Sequence, residues 1–536
     1  MSRAWSPLKI WRCKSVADAS PEEWQSEELP VPSRPPRRPD PPGRFGVLTG
    51  GDRLVRQLQA SLVTIRFRTD QRFCTEALES GSAEGVGLLV DVKRGLVLTD
   101  RHSAPQSLGA AEVTLAGCAT VDAEVLFIHP QHNIALLRCD PVAMSMLLKG
   151  HVPLKSARIA QGRKAGLRAG EDVHFVGFDS QGNAFSAECK VSAVYLPSGK
   201  DEFPPWTVPR FRERNLEIAV LSDTPEDARG GVLCDARGAV RALFASFDFQ
   251  TSRRDCQQET TENFGIPANV FLPLLEAMKK TSSPEVRSLD MEVAAVDLAT
   301  LARSAGKLPK KWMQAVLKRC GQQGQVARAI CVCRVLATGV SKGRLRPGDV
   351  LLSVAGKTIA CALDVEEALV PSKRKREASE VAIHVLRDQQ EVVEYVTPGI
   401  LGSEDDAELV IWAGLVLRRT PRCILERCGE SVAPRAGGVF VQSLLAGSPA
   451  ETQSLHPHCF LMELNGKAVR SLSDVLLLGQ HEKKPSGEKR ASYVRLLLLD
   501  MNGQEHVKAI QPDPLFFPTL TLQRNSDGQW HCTQRH

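Results

Sequence analysis

The side chains able to do acid–base or nucleophilic chemistry in the N-terminal half set the limits on what this chain can catalyse. His102 lies three residues beyond the strand-like run Val97-Leu98-Thr99, a place from which an imidazole could accept a proton or simply face water at a strand end. Arg229 stands before Gly230-Gly231 and the apolar pair Val232-Leu233, with a turn at Asp235 to Gly238 and a second apolar run beyond. A guanidinium there is neither a nucleophile nor deprotonable at ordinary pH. Cys234 is close by but sits inside the apolar run, as a buried structural thiol would. The 12 histidines show no metal-ligand clustering and there is no phosphate-binding loop, so no cofactor or metal is expected.

Those residues need a scaffold, and 536 residues are enough for about three or four domains. With 43% hydrophobic and 24% charged residues, most of the chain should fold. A formal charge of +6, from 68 basic and 62 acidic residues, does not suggest a nucleic-acid binder. The 15 cysteines form no regular framework, and several lie in strand-like runs such as Ala329-Ile330-Cys331-Val332-Cys333, which favours a reducing compartment. The N-terminal MSRAWSPLKIWRCKSV lacks the apolar core of a secretory signal, and no apolar run approaches the roughly 18 residues needed to span a bilayer. An intracellular protein without a membrane partner is the expectation.

Residues 28–44 (ELPVPSRPPRRPDPPGR) are too rich in proline for helix or interior strand and read as an extended linker. From about Leu54 to Leu275 short apolar runs recur between Gly, Asp and Asn: 61–65, 85–90, 95–99, 123–128 and 172–176. Strands this short and frequent predict an all-β sandwich or barrel, closed by a helix over 270–279. Farther on, Leu345 to Lys357 aligns with Leu455 to Lys467, and Asp364-Val365 with Asp474-Val475, without a gap. A strand, a Gly-Lys turn and a short helix, given twice, mean two copies of one small domain.

Leu345-Arg346-Pro347-Gly348-Asp349-Val350 through Gly356-Lys357 resembles the PDZ pattern of HtrA/Deg serine proteases, and Gly447 to Ala450 resembles the turn preceding that strand. The upstream region is similar to the same family's barrel at Gly85-Val86-Gly87-Leu88, Val97 to His102, His132 to Leu137, Gly230 to Leu233, and Phe264-Gly265-Ile266-Pro267. Val410-Ile411-Trp412-Ala413-Gly414, with the opening WSPLKIWRCKSV and the proline-rich linker, resembles the C-terminal half of the large tandem form found in fungi and plants. That form carries two protease units, is nuclear and pro-apoptotic in fungi, and keeps its intact triad in a first unit that has no counterpart here. The resemblance implies a mainly β protein: a proline-rich linker at 1–50, a chymotrypsin-like double β-barrel at 51–282, and two α+β PDZ-type domains at 283–398 and 399–536. It also implies intracellular residence, in the nucleus more than the cytoplasm. The run Lys373-Arg374-Lys375-Arg376 reads either as an import signal or as a solvated loop.

Carried over by motif, the family's catalytic base falls on His102, its aspartate on Asn133 and its nucleophilic serine on Arg229. Asparagine neither enforces the productive imidazole tautomer nor balances its cation, a change that costs a serine protease about 10⁴-fold in turnover. The positive charge of Arg229 is expected to oppose protonation of His102. The glycine two places before the nucleophile is replaced by Asp227, whose carboxylate could repel an oxyanion. His102 is then a vestigial base in a pseudoprotease.

Peptide capture falls to the PDZ-type units, which in this family add a peptide to a sheet edge beside a glycine-containing loop. Trp412-Ala413-Gly414-Leu415 offers a reduced version of that loop, and equally reads as an interior strand with a small residue. The matching stretch of the first unit, Ser288-Leu289-Asp290-Met291-Glu292-Val293, has no glycine and two carboxylates, so interdomain or internal-peptide contacts are expected there. The partners expected are unfolded or C-terminal peptide segments and, by resemblance, further copies of the chain. Two competing readings are an endopeptidase whose activity lies in a missing N-terminal protease unit, and a PDZ scaffold in which the barrel is a spacer.

Overall fold

The computed structural model describes residues 53–76, 81–150, 152–197, 208–225, 227–253, 256–280, 284–304, 308–323, 327–370, 380–402, 407–428, 432–433, 435–479, 493–525 and 528–535. The expected linker at 1–50 and the basic run 373–376 lie outside them.

Alternation of apolar and polar residues along 110–115 and 119–128 gives strands whose inward side chains are buried in turn, the pattern of a sheet with one face on a core. Six strands, β1 (Leu62–Arg68), β2 (Ser82–Asp91), β3 (Leu96–Thr99), β4 (Ala110–Leu115), β5 (Ala119–Ile128) and β6 (Ala135–Cys139), close into a barrel in the order β1-β2-β3-β6-β5-β4. A second barrel closes in the order β10-β11-β12-β9-β8-β7. Its strands are β7 (Asp172–Phe178), β8 (Ala184–Tyr195), β9 (Ile218–Leu221), β10 (Gly230–Cys234), β11 (Val240–Arg253) and β12 (Cys256–Pro267). Closure leaves neither sheet with a free edge.

The barrels meet across one apolar core, to which Leu88, Leu98 and Leu136 contribute from the first and Phe178, Val232 and Ile266 from the second. At its rim β7 and β10 run unusually close. A Cβ on Gly177 would lie 2.2 Å from the Gly230 carbonyl oxygen, and one on Gly231 2.4 Å from that of Val176. Only glycine fits at either place, which accounts for Gly231, while its neighbour Gly230 has a φ of 145° that favours glycine. The helix Ala268–Met278 starts directly after Pro267 and seats Phe271, Leu274, Leu275 and Met278 on the same core.

Two further units, each a sheet with short helices, follow. The first holds β13 (Val286–Ser288), β14 (Met291–Asp297), β15 (Arg328–Val335), β16 (Val350–Val354), β17 (Lys357–Thr358), β18 (Val381–Arg387), β19 (Gln390–Val396) and β20 (Gly399–Leu401). Its main sheet runs β14-β15-β16-β18-β19, with β14 at one edge. The second holds β21 (Glu408–Trp412), β22 (Leu415–Arg419), β23 (Val439–Leu444), β24 (Cys459–Leu464), β25 (Lys467–Ala468), β26 (Val494–Leu499), β27 (Glu505–Ile510), β28 (Thr519–Arg524) and β29 (Trp530–Arg535).

The internal repeat recurs element by element: β16, β17 and helix Ala362–Leu369 in one copy, β24, β25 and helix Leu472–Leu478 in the other. Both helices open on a capping box closed by an aspartate, Asp364 or Asp474. Where the first copy has Gly348 at φ 95°, the second keeps a left-handed turn with His458 at φ 64°. The turn is thus the more firmly kept feature, although its residue type changed.

Candidate functional site

The site lies where the end of β3 faces β11 across the barrel junction. Asp100, one residue past β3, is buried, and its Oδ1 accepts hydrogen bonds from the Ser103 amide (2.7 Å) and hydroxyl (2.6 Å). Its Oδ2 accepts from the Ser246 amide of β11 at 2.9 Å, tying the two barrels together. This carboxylate fixes the turn that presents His102.

The Nδ1 of His102 lies 2.8 Å from Oδ2 of Asp248 on β11. That hydrogen bond, with the further charge of Asp100, raises the affinity of the imidazole for a proton above the ordinary histidine value, against the opposing effect of burial. Burial pushes the Asp248 carboxyl up, but the His102 bond and charge, together with a 2.7 Å bond from the Thr261 hydroxyl, hold it below the usual range. A carboxylate on Nδ1 orients the imidazole as the aspartate of a Ser-His-Asp triad does, so the pair alone does not mark the site as inactive.

Asn133 takes no part in it. Its Oδ1 accepts from the Arg101 amide at 2.7 Å and its Nδ2 donates to the Ser246 carbonyl at 2.6 Å, both buried. One acceptor and one donor are required here, which a carboxamide supplies and a carboxylate does not. The residue at the expected carboxylate position serves the backbone of both barrels.

Arg229 turns to β2, where its Nη1 lies 3.2 Å from Oε2 of Glu84, each side chain 49% exposed. Glu84 also bonds the Nε of Arg66 at 3.1 Å. Protonation of His102, expected to be opposed by the Arg229 charge, is instead favoured by Asp248 and Asp100, the guanidinium being engaged on Glu84. The Arg229 amide donates to the Phe178 carbonyl at 2.9 Å, as a continuation of the β7–β10 ladder. An oxyanion at this position would need that N–H directed at itself. Asp227 keeps a left-handed backbone at φ 59°, the conformation a glycine takes without strain. Cys234 is wholly buried in β10.

Trp412, Ala413, Gly414 and Leu415, expected either as a glycine-containing loop or as an interior strand with a small residue, form a hairpin. Ala413 (φ 50°) and Gly414 (φ 85°) form the two-residue turn of a tight hairpin in which Trp412 of β21 pairs with Leu415 of β22. All four are buried, and the carbonyls of Ala413 and Gly414 accept from the amides of Ala450 (3.2 Å) and Leu445 (2.8 Å). The indole of Trp412 packs with Leu472, Val475 and Leu476 of the neighbouring helix and donates to the Gly479 carbonyl at 3.2 Å. β21 occupies the edge of β22 to which a peptide would add, and the Trp412 ring fills the space beside it.

In the first unit the two carboxylates that set it apart are used between domains. Glu292 pairs with Arg212 of the barrel segment (2.9 Å) and Arg334 (2.5 Å), and Asp290 pairs with Arg422 of the second unit. Sequence reasoning missed Asp248 and Asn215. Asp248 carries no local signal, being 146 residues from His102 and inside an alternating strand. Asn215 has a left-handed backbone at φ 55° and a side chain directed at β14.

No family model matches the chain. Among curated proteins it is similar to the pro-apoptotic serine protease NMA111 of Yarrowia lipolytica, 28% identical over 455 residues, covering 83% of this chain and 42% of the relative. Protease Do-like 7 of Arabidopsis thaliana is 25% identical over 488 residues, covering 87% of this chain and 42% of the relative. A PDZ domain-containing protein of Schizosaccharomyces pombe is 27% identical over 459 residues, with 84% and 42% covered. The chain thus spans about two fifths of the length of these relatives. Among solved structures, the HtrA-type protease AlgW with tripeptide aligns at a TM-score of 0.41 and 18% identity, over 66% of this chain and 97% of its own.

Proposed function

We propose that this chain, which is of the HtrA/Deg type by the relatives it matches across most of its length, is a protease-fold protein that holds protein segments without cutting them. The observation that carries the reading is the state of residue 229: its side chain is an arginine engaged on Glu84, and its amide is spent on Phe178. Attack needs an oxygen or sulfur at that place with an N–H aimed at the developing charge.

What remains is a rigid two-barrel body with two PDZ-type units, suited to binding extended chain and to assembly with partners or further copies. Two experiments on the purified full chain test this. A fluorophosphonate probe should label nothing, and stoichiometric labelling would end the non-catalytic half of the reading. Reduced, carboxymethylated lactalbumin, a permanently unfolded chain, should be retained without being shortened. Failure to retain it would end the binding half.

The protease names of the relatives, each more than twice the length matched here, favour one alternative. In it an endopeptidase unit elsewhere in a longer chain cuts what this part presents. Active protease from that longer chain, carrying Arg229 unchanged, would distinguish the two.

A further inference from the structure

The groove of the first PDZ-type unit lies between the edge strand β14 and the helix Ala362–Leu369. Its walls are apolar, with Leu289, Met291 and Val293 on one side and Ala362, Val365 and Leu369 on the other. A strand edge of this kind offers the carbonyl of one residue and the amide of the residue two places on to an incoming extended chain. In β14 both groups are already taken. The Nδ2 of Asn215 donates to the Met291 carbonyl at 3.0 Å, and the Val293 amide donates to Oδ1 of Asn215 at 3.0 Å. One side-chain amide thus reproduces the donor and acceptor that a peptide backbone would supply. Leu196, just past β8, is 6% exposed and packs into the apolar cluster of Leu289, Met291, Val293, Val365 and Leu369. Gln131 adds a 3.1 Å bond from its Nε2 to the Ser288 hydroxyl at the mouth. What is left of the groove is a cavity of about 10 Å³, room for no more than a single water.

We propose that this groove is a latent peptide site held shut by the chain's own barrel. The carboxamide of Asn215 takes the strand-edge hydrogen bonds, and Leu196 the apolar floor, that an extended peptide with an aliphatic side chain would take. The proposal rests on the segment-holding reading above and gives it a location and a gate. A ligand enters only by expelling both residues, so binding here moves the 208–217 segment of the barrel with it. Arg212 on that segment pairs with Glu292 of β14 and restrains the same opening.

The test uses the full chain and two variants. Asn215→Gly keeps the left-handed backbone and removes the amide. Asn215→Asp keeps an acceptor for Val293 but cannot donate to Met291, and serves should the glycine variant fail to fold. Native-state hydrogen exchange at the Val293 amide should rise several-fold to about tenfold in Asn215→Gly, the equivalent of one lost hydrogen bond. Unchanged exchange overturns the proposal and leaves the segment-holding reading standing. In a second arm, Asn215→Gly combined with Leu196→Ala and the unmodified chain are each panned against phage-displayed random heptapeptides. The double variant should enrich aliphatic peptides that restore protection at Val293, and the unmodified chain should bind them at least tenfold more weakly. Equal binding by both overturns the gate. Raised exchange with no peptide enriched by either protein removes the peptide site and the proposal with it.

Discussion

The imidazole of His102 and the carboxylate of Asp248 meet at 2.8 Å across the junction of two barrels, while Asn133 bonds to the backbone amide of Arg101 and the backbone carbonyl of Ser246. A histidine whose proton affinity is raised in the fold adds stability that is complete below its unfolded value, about 6.5, and is lost as pH rises through the folded value. Asp248→Asn replaces the ionised hydrogen-bond acceptor that raises it with a neutral carboxamide. The His102 midpoint, followed by NMR titration of its ring protons, should drop; an unmoved midpoint would contradict the pairing. The effect on stability is small, since the imidazole is 33% exposed and solvent screens the pair.

Restoring an aspartate at position 133 should harm the fold. Asn133→Asp replaces the donor to the Ser246 carbonyl with a second acceptor in a buried place. The expected loss is roughly 1–3 kcal/mol in urea unfolding. A gain in stability, or a new His102 midpoint shift attributable to residue 133, would show that the carboxamide is not chosen for its donor.

A serine at position 229 should not revive the protein. Arg229→Ser removes a half-exposed ion pair with Glu84, so unfolding free energy should change by no more than about 0.5 kcal/mol. The residue-229 amide would still face the Phe178 carbonyl, and His102 would still face Asp248. A fluorophosphonate probe should therefore leave the variant unlabelled, and rapid labelling would mean that the site rearranges freely.

Backbone proximity at the rim of the second barrel is tested by Gly177→Ala. Its Cβ would fall 2.2 Å from a carbonyl oxygen held in the β7–β10 ladder, where neither strand can give. Overpacking of this kind costs typically 1–3 kcal/mol. A variant as stable as the parent in chemical denaturation would show that the strands separate easily there.

Mild acid should loosen the contact between the barrels and the unit that follows them. His129 is held well below the ordinary histidine range by burial, by the stacked ring of His132 at 4.3 Å, and by Arg101. Its neutral Nδ1 accepts from the amides of Gln131 and His132, and the Nε2 of His132 lies 2.8 Å from Glu366 of the following unit. The unfolded chain binds a proton at this residue near pH 6.5 and the folded chain does not, so stability falls as pH drops below that value, by at most about 1.4 kcal/mol per pH unit. Urea unfolding between pH 7 and 5 should show this slope, and His129→Leu should flatten it.

The barrel strands could be read from alternation because a half-buried sheet imposes it residue by residue, as along 119–128. The repeat was legible for a similar reason, since Asp364 and Asp474 close the same capping box in both copies. His102 was found because a short local pattern surrounds it. Asp248 was not, because its partner is brought to it only by closure of two barrels. Asn215 lies in a segment with no strand or helix period, so nothing in its neighbours marks it. The hairpin at Ala413-Gly414 was within reach: two turn residues between apolar runs of matching length are a hairpin signal, even though alanine is a poor choice for the first.

β28 covers the outer side of β21 along Glu408–Ile411, and β29 then becomes the terminal strand of that sheet. β21 is apolar over Leu409 to Trp412, whereas the outer strand presents the exposed His531, Thr533 and Gln534. The last two strands therefore act as a selvedge. A proteolytic clip that removed them would bare the apolar ladder of β21 and make it a template for chain-to-chain stacking.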